Sequence, residues 1–209
     1  MLRKIVVSIA FMAMVFVTAA EGAGQGQDHR ALRGTYALNG TRVCTYTSQN
    51  GFGPAPAYAL IDAATTRTAI FTGELNLNGD GTGTADFKLM QFVHQLVAPG
   101  NQTMSVAEIE CTVLYGNLPD GTLELSTTNC SGPVTAGLGT GLFVADSGDV
   151  TMAVSTNRNG SVLLLSNVDP TVSEITAVFP PPPDPPSFTS ISKVMCARSF
   201  TAVLVAPYE

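Results

Sequence analysis

Tight-turn signals recur along this chain. Asn39-Gly40, Asn50-Gly51, Asn78-Gly79-Asp80-Gly81, Asp120-Gly121, Ser147-Gly148-Asp149 and Asn159-Gly160 each suit positive φ or a sharp reversal. Between them lie runs rich in Val, Thr, Leu and Phe, near residues 33–38, 42–48, 69–77, 82–96, 106–118, 122–129, 141–146, 149–156, 161–168, 172–179 and 189–205. Short strands at that density predict an all-β fold, an antiparallel β-barrel with a β-sandwich as the alternative. Sparse charge and the absence of Trp, beside abundant Gly and Thr, agree with strands joined by tight turns.

The N-terminus has a different logic. Arg3 and Lys4 precede an uncharged run from Ile5 to Val17, and Thr18-Ala19-Ala20 supplies small residues for cleavage. This predicts a signal peptide over residues 1–20, helical in its apolar run. The run is short of the roughly 20 residues of a membrane-spanning helix. Residues 21–31 lack periodicity and are expected to be a flexible mature N-terminus, followed by one domain over 32–209. No later stretch is long and apolar enough for a spanning helix, so a soluble, secreted or periplasmic protein is expected. Without Arg3 and Lys4, eight basic residues face 16 acidic ones, a net charge near −8. That balance argues against nucleic acid or anionic lipid as a partner.

Four cysteines, Cys44, Cys111, Cys130 and Cys196, in an exported chain favour two disulfides over zinc. If Asp120-Gly121 is a two-residue hairpin loop, cross-strand partners sum to 241, as 111 and 130 do. That register places Leu114 and Leu118 on one face with Leu123 and Leu125, and Glu124 and Ser126 on the other. Strict register makes Cys111 and Cys130 a hydrogen-bonded pair, whose side chains diverge, unless a bulge shifts it. Elimination then leaves Cys44 with Cys196, a staple between the first and last strands, although four cysteines allow three pairings.

Two segments resist a strand reading. Residues 50–66, with Pro54, Pro56 and an Ala-rich stretch, suggest a loop with a helical turn. Residues 87–97 fit either helical or strand spacing, and flanking Gly83 and Pro99-Gly100 favour strand. Prolines at 180–183 and 185–186 predict an extended loop before the last strand.

Chemistry-bearing motifs are few. Asn76, Asn78, Asp80 and Gly81 have the spacing of half an EF-hand loop, but Phe87 stands where a bidentate Glu belongs, so a Gly-rich turn is expected. No metal or cofactor is predicted, and no catalytic residue. His94 lies in an apolar run, where a part-buried structural histidine is the common outcome. Glu108 and Glu110 lie two apart, so on a strand they share a face, either lining a cavity or meeting water. Sequons at Asn39, Asn101, Asn129 and Asn159 matter only in a glycosylating host.

Gly34-Thr35-Tyr36 resembles the Gly-x-Trp that opens lipocalin-type (calycin) barrels, with Tyr in place of Trp. The resemblance implies a barrel around a small apolar ligand, with Arg198 on the last strand packed across Tyr36. The chain also resembles exported bacterial β-rich proteins of unknown activity. The leading expectation is a module binding a small hydrophobic molecule, with Tyr36, His94, Glu108, Glu110 and Arg198 as cavity candidates. The alternatives are a structural or surface-interaction protein with a filled core, and a carboxylate-based isomerase or cyclase. Whether the chain is an enzyme is left open, with binding favoured.

Overall fold

The computed structural model describes residues 32–48, 51–53, 60, 63–94, 104–120, 122–146, 148–167, 172–179 and 188–207. The signal segment, the N-terminal stretch 21–31 and the proline-rich loop 180–186 lie outside them.

The described chain is all-β, with ten strands: β1 (Arg33–Thr47), β2 (Ala64–Asn78), β3 (Thr82–Val93), β4 (Met104–Asn117), β5 (Leu123–Gly137), β6 (Phe143–Asp146), β7 (Val150–Thr156), β8 (Val162–Asn167), β9 (Val172–Phe179) and β10 (Phe188–Ala206). Every pairing is antiparallel. β1 to β5 form a meander. β5 then divides its partners, Leu123–Thr127 pairing with β7 and Cys130–Pro133 with β6. β7 leads to β8 and β6 to β9, and both routes reach β10. β10 pairs with β1, so the ladder closes into a ring.

Period-two alternation decides which residues face inward. Along β1 these are Tyr36, Leu38, Arg42, Cys44 and Tyr46, while Thr41 and Val43 are exposed. β10 matches them with Ala202, Phe200, Arg198, Cys196 and Val194. Phe71 stands at the centre, its ring 5.1 Å from those of both Phe87 and Phe200 in edge-on contacts.

Several local expectations are corrected. Asn39-Gly40 makes no turn, because β1 runs straight through it. Gly40 instead admits Phe200: a Cβ there would sit 2.1 Å from the Phe200 ring. In 50–66 Phe52 bridges Leu60 and Ala64–Thr66 opens β2, while most of the stretch expected to be a loop with a helical turn lies outside the described residues. The 87–93 stretch is strand. The Asn78–Gly81 turn is Gly-rich as expected. Gly79 and Gly81 have φ of 85° and 93°, and Asp80 Oδ1 accepts the Thr82 N–H at 2.9 Å.

The β4–β5 hairpin also differs. Its partners sum to 240 from Asn117–Leu123 to Thr112–Thr128, because Leu118 N–H bonds Thr122 C=O (2.8 Å) across a loop longer than two residues. A one-residue slip exchanges faces. Val113 and Tyr115 therefore join Leu123 and Leu125 inside, while Leu114 and Leu118 are exposed. Asn129, with φ 52°, is the extra residue of a bulge, beyond which Glu110 pairs with Ser131. The bulge brings Cys111 to Cys130, and their Cα atoms are 4.1 Å apart. The second disulfide joins Cys44 to Cys196 across the β1–β10 seam.

Candidate functional site

The ring encloses an apolar-walled cavity of about 100 Å³. Leu38, Phe71, Leu75, Leu89, Met152 and Phe200 form much of its wall. At one end the lining changes character and becomes Arg42, Arg198 and Asp146.

Strand register creates this end. Arg42 and Arg198 are direct partners across the β1–β10 seam, one pair along from the Cys44–Cys196 bridge on the inner face. Arg67, opposite Cys44 on β2, lies near Arg42 but outside the cavity lining. Both Arg42 and Arg198 are buried, at 9% and 8% exposure. Arg42 Nη2 donates to Tyr46 Oη (3.2 Å) and Gln91 Oε1 (3.1 Å), and Tyr46 Oη also donates to Gln91 Oε1 (3.0 Å). The Arg42 guanidinium lies 5.2 Å from the Phe71 ring centre, and that of Arg67 lies 4.1 Å from the Tyr46 ring centre.

The charges are poorly balanced. Asp146 Oδ2 is 3.9 Å from Arg198 Nη2, the one ion pair these arginines make among the described residues. Asp146 also accepts the Gly148 N–H at 3.0 Å. Burial above all, then repulsion from Arg42, lowers Arg198 to about 10, against the opposing pull of Asp146 and Tyr46. Burial likewise lowers Arg67; Tyr46 offsets this in part, while Arg42 adds to it. The buried Nε atoms of Arg42 and Arg67 have no hydrogen-bond partner among the described residues.

The residues singled out from sequence divide between inside and outside. Arg198 lines the cavity. Tyr36 is buried elsewhere, its hydroxyl donating to Gly160 C=O at 3.0 Å. Burial, then Tyr115, raises its pKa. The contact implied between Tyr36 and Arg198 does not form: Tyr36 pairs with Leu204, and Arg198 lies six residues away along β10, roughly 20 Å at strand rise. His94 is exposed at the end of β3, its Nε2 2.8 Å from Thr68 Oγ1, and is no part of the cavity. Glu108 and Glu110 point outward from β4, beside Asp86 and Lys88 on β3.

Arg42, Arg67, Gln91, Tyr46 and Asp146 were not anticipated. A signal existed for two of them. Arg42 falls in the same alternation as Tyr36, Leu38, Cys44 and Tyr46, and Arg67 in that of Ala69 and Phe71, so each is a charge placed on an apolar strand face.

No family model and no curated protein matches this chain. Among solved structures it is similar to the secretin InvG (residues 176 to the end) of the Salmonella SPI-1 type III secretion injectisome in the open gate state. The identity is 10%, the coverage 84% of this chain and 60% of that one, and the TM-score 0.26. The chain thus spans less than two thirds of that structure's length, and a likeness of this degree fixes neither fold nor function.

Proposed function

We propose that residues 1–20 direct export, and that the mature domain is a closed antiparallel β-barrel holding a small hydrophobic molecule in its interior. Two disulfides fit a non-cytoplasmic, oxidising compartment. The β1–β10 pairing supports closure. The observation that carries the binding reading is the apolar cavity walled by Leu38, Leu75 and Met152. At about 100 Å³ it is smaller than the roughly 300 Å³ and upward of drug-sized sites, and nearer the scale of a cavity that takes benzene. The ligand is therefore small. The lipocalin-type likeness rests on Gly34-Thr35-Tyr36 alone, since Arg198 stands apart from Tyr36.

The same small volume favours a second reading, a surface-interaction protein whose core is essentially filled. A carboxylate enzyme has less support, because Glu108 and Glu110 face outward, beside Asp86 and Lys88 in a surface groove, and Asp146 is the one carboxylate lining the interior cavity among the described residues.

Titration of the exported protein with 1-pentanol, followed at the Met152 methyl resonance, separates the first two readings. Binding predicts a saturable shift that disappears in Ala85→Leu, which fills the cavity. No saturable shift in the wild type would leave the filled-core reading.

A further inference from the structure

The cavity has two chemically different halves, and the polar one is incomplete. A buried guanidinium is costly unless a charge and hydrogen bonds compensate it. Two arginines line this half, with Arg67 near Arg42 behind them, in a chain that has ten basic residues in all, and one carboxylate lines it with them. Asp146 touches Arg198 only at 3.9 Å, longer than a hydrogen bond. Gln91 and Tyr46 occupy one Nη of Arg42 and leave its Nε without a partner. The neighbouring inward levels of β1 and β10 carry no charge, with Gly40 and Phe200 on one side and Cys44 and Cys196 on the other.

We propose that the ligand is a small apolar monocarboxylate whose head group lies between Arg42 and Arg198 and whose hydrocarbon tail lies along Leu38, Leu75 and Phe200. This rests on the reading of the cavity as a ligand site. A guanidinium fork matches a carboxylate in charge and in plane. One negative charge reduces the imbalance left by Asp146. A neutral ligand could accept from the buried donors but would leave the positive charge unbalanced, and a bare inorganic anion would leave the apolar wall unused. The carboxylate end and the tail therefore belong to one molecule.

The exported, disulfide-bonded protein is to be titrated near neutral pH with pentanoate, with its neutral isostere pentanamide, and with sulfate. The Arg Nε–H and Met152 methyl resonances are followed in each case. Pentanoate is expected to bind at least about tenfold more tightly than pentanamide and to shift the Arg42 and Arg198 Nε–H signals. Arg198→Met is expected to weaken pentanoate by about tenfold and pentanamide by clearly less, so that the preference for the anion narrows. Should that variant not fold, Arg198→Lys serves. It keeps the charge but loses the fork, and should weaken pentanoate more than pentanamide. Equal binding of pentanoate and pentanamide would overturn the carboxylate inference and leave the cavity reading standing. Failure of both to bind would remove the cavity reading as well. Sulfate binding as tightly as pentanoate would mean an inorganic-anion site, and the carboxylate class would be wrong.

Discussion

Cys44 and Cys196 face each other directly across the β1–β10 seam, 152 residues apart in sequence, with Cα atoms 4.1 Å apart. The bridge thus joins the first and last strands where the ring closes. In the chain-entropy account a loop of that length restricts the unfolded chain more than the 19-residue separation of Cys111 and Cys130. Replacing Cys44 and Cys196 together by Ala should lower unfolding free energy by up to about 5 kcal/mol, against about 3 kcal/mol for the Cys111/Cys130 pair. Urea unfolding of the two double variants measures the difference. A larger loss at the Cys111/Cys130 pair would show that the seam is held by its ladder rather than by the bridge.

Gly40 offers a separate test of interior packing. A methyl group there would fall 2.1 Å from Phe200 Cδ1 and 2.7 Å from the Ser199 carbonyl oxygen. Phe200 is itself packed edge-on against Phe71 and cannot move freely. Gly40→Ala should therefore destabilise by about 1–3 kcal/mol, as overpacking does, although Ala has the better strand propensity. A Gly40→Ala protein as stable as wild type in urea would mean that the Phe200 ring yields.

The same glycine shows what the sequence made legible and what it hid. Turn dipeptides and alternation pointed to antiparallel strands, and the even cysteine count pointed to two bridges. Asn39-Gly40 nevertheless has the composition of a hairpin turn, and only tertiary packing against Phe200 makes it a strand interior. The β4–β5 register differs from the one Asp120-Gly121 suggests because dipeptide chemistry does not report the Leu118 N–H to Thr122 C=O bond that shifts it. Arg42 and Arg67 were readable as charges on apolar faces. Their convergence with Arg198 was not, since it depends on how β1, β2 and β10 align.

Asn129 holds the bulge that brings Cys111 to Cys130. Its φ of 52° lies in the left-handed region, which costs most L residues about 1–2 kcal/mol and Asn rather less. Asn129→Ala should destabilise by about 1 kcal/mol, whereas Asn129→Gly should be neutral or slightly stabilising. Paired urea titrations of the two variants check the ordering. Alanine tolerated as well as glycine would mean that the bulge relaxes to another geometry.

Arg198 carries the sharpest prediction, because stability and binding should move in opposite directions. Its folded-state pKa is lowered to about 10, through burial first and Arg42 second. Below about pH 10 the side chain is charged in both folded and unfolded protein, so the folded state bears the full cost of the buried charge. The cost fades as pH climbs past about 10, where the folded protein releases its proton before the unfolded chain does. Arg198→Met should therefore stabilise the ligand-free domain by about 2–3 kcal/mol near neutral pH. Asp146 keeps its hydrogen bond from Gly148 N–H when Arg198 is gone. In urea unfolding the gain should shrink as pH is raised past about 10, and saturating pentanoate should narrow the gap by about 1.4 kcal/mol for each tenfold by which the wild type binds it more tightly. A variant less stable than wild type without ligand would mean that the guanidinium is adequately compensated within the folded chain, and the inducement to bind an anion would be gone.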